Sequence, residues 1–167
     1  IEELIELVRN KKIVAAPSRT LVHNILIKQI KEILDSGILG KPLSFTHHCG
    51  QYLPDWHPWE DYRTFYVSTK ETGACREMVV FELSWIKWLL GDVHSVSCMK
   101  GKLSDLEVDI DDVYQILLNF DNRVIGHMLV DVISRHPYRE FRLLCENGVI
   151  VWDMIGKVLK VFNGDEK

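Results

Sequence analysis

Residues 112–131 read Asp112-Val113-Tyr114-Gln115-Ile116-Leu117-Leu118-Asn119-Phe120-Asp121-Asn122-Arg123-Val124-Ile125-Gly126-His127-Met128-Leu129-Val130-Asp131, and this stretch decides the fold. Two apolar runs of strand length meet at Asp121-Asn122, a pair suited to a tight hairpin turn. A hairpin forces antiparallel pairing. In the first run Tyr114, Ile116, Leu118 and Phe120 share one face, and Val113 and Leu117 the other. In the second, over residues 123–134, Val124, Met128, Val130 and Val132 share one face, and Ile125, Leu129 and Ile133 the other. Both faces are apolar, and one layer of helices covers only one. The remaining face predicts another cover, either a second copy of the chain or sequence beyond it, and Val130 is placed on that self-associating side, because monomers rarely leave so large an apolar patch in water.

Strands continue outward from this hairpin. The segments 93–100, 138–146, 149–153 and 157–163 have strand patterning, and Asn147-Gly148 marks a second hairpin. Upstream, residues 75–90 form an almost wholly apolar helix stopped by Gly91, a pattern that predicts burial on more than one side. Residues 44–52 read as a strand and 53–70 as a long loop with two prolines and two tryptophans. A helix over 23–36 carries Leu26, Ile30, Ile33 and Leu34 inward and ends at Gly37. Residues 1–9 set Ile1, Leu4, Ile5 and Val8 on one helical face, and Ile13-Val14-Ala15-Ala16 reads as a strand stopped by Pro17. The expected class is α+β: a mostly antiparallel open sheet with helices on one face, preceded by the tail of an alternating α/β unit. Residues 1–20 form that tail and residues 21–167 the main domain.

The 167 residues are 47% hydrophobic and 26% charged, as in an ordinary globular domain. No apolar run approaches the roughly 18 residues of a membrane span. The formal net charge of −4 and the lack of a basic tract disfavour nucleic acid as a partner. The opening Ile1-Glu2-Glu3-Leu4-Ile5 lacks the basic and apolar regions of a signal peptide, and the start without Met suggests a longer gene product. Cys49, Cys75, Cys98 and Cys145 form no CxxC pair, and Cys98 and Cys145 fall in strand-like runs where a buried free thiol is expected. A reducing, cytoplasmic compartment fits.

Three stretches carry a family resemblance: Ile30-Lys31-Glu32-Ile33-Leu34-Asp35-Ser36-Gly37 to Leu39-Gly40-Lys41-Pro42; Gly50-Gln51-Tyr52-Leu53-Pro54-Asp55-Trp56-His57-Pro58-Trp59 with Asp61-Tyr62-Arg63; and Trp88-Leu89-Leu90-Gly91-Asp92-Val93. They resemble the C-terminal part of the Gfo/Idh/MocA oxidoreductases, the family of glucose–fructose oxidoreductase and inositol dehydrogenase. The middle stretch is similar to a branch associated with surface-sugar pathways. The resemblance implies that residues 1–20 are the remnant of a Rossmann dinucleotide-binding domain. It implies that the remainder is the substrate side of an NAD- or NADP-dependent enzyme acting on a sugar, nucleotide-sugar or polyol, and that the sheet forms oligomers. The family's Gly-rich turn and its Glu-Lys-Pro lysine have no counterpart here. This chain alone is therefore expected to bind no dinucleotide and to be inactive.

On the central helix the family usually places a carboxylate, a His four residues later and an Asp three beyond that, which gives one face of acid–base groups. Counting back from Gly91, those positions hold Glu77, Phe81 and Ser84. Glu77 keeps the carboxylate, so the catalytic candidates are Glu77 and His57, the latter as a substitute for the missing His. Glu77 also reads as an ordinary first-turn acid favoured by the helix dipole, and His57 as a loop side chain packed on aromatic rings. Tyr52, Asp55, Trp56, Tyr62 and Arg63 are substrate-binding candidates, as hydrogen-bonding or stacking partners of a sugar, each against a plain loop-packing reading. His47 and Cys49 share a strand face while His48 points away, and two ligands fall short of a zinc site. His94 and His127 sit in strands with no pairing visible, and the serines lack nucleophile-elbow glycines. Phe81 and Ser84 favour a second reading: a non-catalytic, degenerate family member serving as a ligand-binding or assembly module.

Overall fold

In the computed structural model, which describes residues 2–11, 13–16 and 19–164, one strand organises the rest: β1, Pro42–Gly50. Three helices, α1 (Glu2–Lys11), α2 (Ile25–Ser36) and α3 (Ala74–Leu90), and six later strands complete the chain. The strands are β2 (Val93–Gly101), β3 (Val113–Phe120), β4 (Ile125–Asp131), β5 (Tyr138–Cys145), β6 (Gly148–Asp153) and β7 (Val158–Asn163). They form one open sheet in the order β2-β3-β4-β1-β5-β6-β7. Two antiparallel meanders, β2-β3-β4 and β5-β6-β7, are separated by β1, which pairs antiparallel with β5 but parallel with β4. That parallel pair is the one exception to the antiparallel expectation. Its register sets Phe45 beside Gly126, where an added Cβ would meet the Phe45 ring at 2.0 Å. Glycine at 126 is thus a packing requirement.

The observed strands match the expected ones to within a few residues, and the hairpins fall where Asp121-Asn122 and Asn147-Gly148 predict. Asn24 caps α2 by accepting from the Leu26 and Ile27 amides, and Gly37 ends it in the left-handed region at φ 70°. Ile27 and Ile30 are its fully buried residues; Leu26, Ile33 and Leu34 pack at the margin. Helix α3 lies against β1, β3 and β4 and buries Cys75, Met78, Trp85, Ile86 and Leu89. It is not enclosed on all sides: Val80 and Trp88 are exposed, because the sheet and α2 reach only part of its circumference.

Several other expectations are corrected. Ile13 to Ala16 form no strand and Val14 is 97% exposed, since no neighbouring strand accepts their backbone hydrogen bonds. Helix α1 exists but buries none of its residues. Ile1 and Pro17, assigned to that helix face and to the strand stop, lie outside the described residues. Cys98 is exposed, because β2 is an edge strand beyond the cover of α3. Val130 faces the core with Val124, Met128 and Val132, so the open side is the Ile125 and Leu129 side. That side is less apolar than expected: Leu117, Ile125 and Leu144 share it with His127, Glu140 and Arg142. No helix among the described residues is long and apolar enough to cross a membrane.

Helix and sheet are pinned together by one buried carboxylate. Glu82 is fully buried, and its Oε2 lies 3.0 Å from His47 Nε2 and accepts from Trp85 Nε1 at 2.8 Å. Its Oε1 meets Arg139 Nη2 at 3.0 Å and accepts from the Cys49 thiol at 3.6 Å. His47 Nδ1 in turn donates to the Glu140 carbonyl at 2.8 Å. Burial alone would raise the Glu82 pKa; the His47 contact, then the Arg139 charge and the Trp85 hydrogen bond, hold it below the ordinary carboxylate value of 4.5. A carboxyl whose folded pKa is depressed contributes stability that is fully present above its unfolded pKa and is lost as pH falls through the folded one. Glu82→Gln is therefore expected to lower stability at pH 7 by about 3–5 kcal/mol, the usual cost of breaking a buried ion pair. It should also flatten the loss of stability below about pH 4.5. Urea unfolding at pH 7 and pH 4 checks both, and an unchanged pH dependence would remove Glu82 from this role.

Candidate functional site

A cleft opens where four pieces of chain converge: the end of β1, the start of β5, the first turns of α3 and the β6–β7 turn. It has a volume of about 320 Å³ and is lined by Cys49, Gln51, Trp56, Glu77, Phe81 and Arg139, among others. Pro137, Tyr138, Met154 and Ile155 close its outer rim. The convergence follows from β1 lying between β4 and β5, since the two strands that deliver Cys49 and Arg139 are hydrogen-bonded neighbours.

Glu77 sits in the first turn of α3, where the helix dipole favours an acid. Its carboxylate accepts from the Tyr66 hydroxyl at 2.7 Å. Burial, then the Glu77 hydrogen bond and charge, push the Tyr66 hydroxyl up to about 12, so Tyr66 stays a donor at neutral pH. Phe81 lies one helical turn on, and its ring is 5.9 Å from the Arg139 guanidinium. Glu77 and Phe81 also line a second cleft of about 640 Å³ with Arg19, Tyr66, Arg76 and Ser84, so they form the ridge between the two. Ser84 donates to the Phe81 carbonyl at 2.8 Å, a local helix contact. The Cys49 thiol is pushed up to about 12 by burial and then by the Glu82 charge, so it stays protonated and is not a nucleophile at neutral pH.

Of the residues singled out from sequence, Glu77 and Trp56 meet in the cleft between β1, β5 and α3. His57 does not reach it: the ring stacks on Trp59 at 5.2 Å, tilts against Phe65, and turns Nδ1 to Glu60 at 3.5 Å. Arg63 is engaged by Asp61 at 2.8 Å and Glu107 at 3.0 Å. Tyr52 and Tyr62 line a separate depression with Glu107 and Arg135; the Arg135 guanidinium lies 3.6 Å above the Tyr52 ring, and the Tyr62 hydroxyl accepts from the Glu107 amide. Asp55 is exposed at the end of the turn Leu53–Asp55.

Sequence reading missed Arg139, Gln51 and the buried pair His47 and Glu82. A signal for the pair existed: an acid inside an apolar helix requires a buried cation, and His47 lies on an inward strand face. On the opposite face His48 Nε2 contacts Asp131 at 2.8 Å and its ring stacks on Tyr138 at 5.0 Å. His94 contacts Asp121, and His127 contacts Gln115. Among the described residues no group of three or more His, Cys, Asp or Glu is placed to hold a metal ion. The closely spaced glycines, Gly37 and Gly40, both at φ 70°, close α2 and the following turn. They do not open a helix after a strand, so they do not fit a dinucleotide pyrophosphate.

Comparison with known structures bears on the fold. An NAD-binding oxidoreductase from Klebsiella pneumoniae superposes on 99% of this chain and 48% of its own, with a TM-score of 0.80 and 18% identity. Levoglucosan dehydrogenase in complex with NADH and levoglucosan superposes on 97% of this chain and 46% of its own, at 0.79 and 19%. The WlbA dehydrogenase from Bordetella pertussis, in complex with NADH and UDP-GlcNAcA, superposes on 87% and 45%, at 0.70 and 15%. The chain thus spans less than half the length of each of these proteins. Comparison with curated protein sequences gives no significant match. The profile of the GFO/IDH/MocA C-terminal domain matches residues 27–151, three quarters of the chain, from within α2 to within β6. Taken with the sheet order and the pinned central helix, that match makes the chain a member of the Gfo/Idh/MocA family, in its C-terminal domain.

Proposed function

We propose that this chain is the substrate-side domain of an NAD- or NADP-dependent oxidoreductase acting on a sugar, nucleotide-sugar or polyol, and that the cleft between β1, β5 and α3 holds the substrate. The observation that carries this reading is the cleft itself, where an acid, a cation and aromatic walls converge at about 320 Å³. The nicotinamide would be held by sequence outside this chain and would supply the hydride chemistry when bound. Residues 1–20 are assigned to that cofactor domain and 21–167 to the substrate domain. The bare faces of α1 and of residues 13–16 support the division, since apolar side chains there lack cover. Within the cleft Glu77 orients a hydroxyl and accepts its proton, with Tyr66 fixing the carboxylate, while Trp56 offers a ring face to the sugar. Tyr52, Asp55, His57, Tyr62 and Arg63 would meet the parts of a ligand that extend past the cleft. A reducing, cytoplasmic setting suits the free cysteines. The second reading, a non-catalytic ligand-binding or assembly module, is favoured by one observation: Phe81 and Ser84 cannot replace an acid–base His and Asp.

In the full-length protein, assayed for NAD(P)-linked turnover against levoglucosan, inositol and UDP-GlcNAcA, Glu77→Gln is expected to lower kcat by about 10²–10⁴. His57→Ala and Arg63→Ala should have smaller effects. Full activity in Glu77→Gln would remove it from the chemistry, and no turnover of any substrate by the wild type would favour the non-catalytic module. The isolated chain should show no micromolar binding of NADH or NADPH in isothermal titration; binding there would overturn the division of labour. We also propose that the open sheet face pairs with a second copy, since isologous dimers are the commonest oligomers. Sedimentation equilibrium should report a dimer that Ile125→Asp, on the open face, disrupts. A monomer at high micromolar concentration would sink this.

A further inference from the structure

Counting protons in the buried cluster reveals a charge imbalance beside the cleft. Both ring nitrogens of His47 face acceptors: Nδ1 lies 2.8 Å from the Glu140 carbonyl oxygen and Nε2 3.0 Å from Glu82 Oε2. A carbonyl cannot donate, so Nδ1 carries a proton. The second gap also holds a proton, on Nε2 or on the carboxyl, since otherwise two lone pairs would face each other. With the proton on Nε2 the two charges of His47 and Glu82 cancel, and with it on the carboxyl both groups are neutral; either way Arg139 leaves the cluster one net positive charge. Cys49 adds no negative charge while its thiol stays protonated.

Arg139 is the member that lines the cleft, with its side chain 23% exposed. Its five N–H bonds are poorly used. Nε donates to Cys49 Sγ at 3.3 Å, Nη1 to Met154 Sδ at 3.3 Å, and Nη2 to Glu82 at 3.0 Å. Two of these three acceptors are sulfur, which accepts weakly, and the other two N–H bonds have no acceptor among the described residues. Glu82 is the only carboxylate among the described residues that pairs with this guanidinium; Glu77, which lines the same cleft from α3, makes no ion pair with it. Nearby, the buried Trp56 Nε1 also lacks an acceptor among the described residues. A largely buried cation with unspent donors is costly unless an anion completes it.

We infer that the cleft takes an acidic substrate, a sugar bearing a carboxylate that Arg139 receives through its free N–H bonds. This rests on the cleft being the substrate site and deepens that reading. Arg139 then selects the substrate while Glu77, on the opposite wall, handles the hydroxyl. A planar carboxylate accepts two parallel N–H bonds from one guanidinium, a match a neutral hydroxymethyl group lacks.

The test uses the full-length protein and two matched pairs, glucose with glucuronate and UDP-glucose with UDP-glucuronate, measured by isothermal titration with and without NADH. In at least one pair the acid should bind roughly 10- to 100-fold more tightly than its neutral partner. Arg139→Met should abolish that preference, whereas Arg142→Met, on the opposite sheet face, should preserve it. Equal binding within both pairs, or a preference that survives Arg139→Met, overturns the inference. Should Arg139→Met fail to fold, the wild-type comparison decides alone. Equal binding together with NAD(P)-linked oxidation of a neutral member would sink the acid preference and leave the oxidoreductase reading standing. Binding of no member would sink both the acid preference and the sugar reading.

Discussion

The Glu82 carboxylate is the constraint on which the rest of this structure depends. It is fully buried, and a carboxylate out of water is tolerated only when its lone pairs are met by donors. The donors come from three elements: His47 and Cys49 on β1, Arg139 on β5, and Trp85 on α3 itself. The helix cannot slide or rotate over the sheet without stranding that charge. A hydrophobic contact of the same area would fix the distance between helix and sheet but only weakly fix the register.

The cleft follows from this register. With Glu82 anchored, Met78 and Phe81 lie up to one helical turn toward the N-terminus of α3, and Glu77 lies beside them over the ends of β1 and β5. Arg139 links the two regions, with one side of its guanidinium on Glu82 and the rest at the cleft wall. The position of β1 between two meanders makes this geometry possible, since β1 and β5 deliver Cys49 and Arg139 to the same point.

The two sheet faces divide the labour differently. The inner face packs Phe45, Phe141, Trp85 and Trp152 into an aromatic cluster with tilted and edge-on contacts at 5.0–5.4 Å. The outer face mixes Leu117, Ile125 and Leu144 with a polar centre that includes His48, His127 and Arg142. The proposed pairing with a second copy would use this mixed apolar and polar face.

The sequence by itself determined the secondary structure from α2 onward, because alternation in strands, helical periodicity and glycine stops are local properties of the chain. It also determined the α+β class, since hairpin turns at Asp121-Asn122 and Asn147-Gly148 dictate antiparallel neighbours, and three short stretches carried the family resemblance. Of the residues it singled out, Glu77 and Trp56 line one cleft. Only the tertiary structure decided that β1 lies parallel to β4, that Val130 rather than Ile125 faces the core, and that residues 13–16 have no strand to join. It alone separated His57 and Arg63, engaged by close neighbours in the chain, from Arg139, distant in sequence but directed at the cleft. The physical reason is range. Periodicity and turns act over a few residues, whereas His47, Glu82 and Arg139 are brought together across 35 and 92 positions only when the sheet has closed around one buried charge.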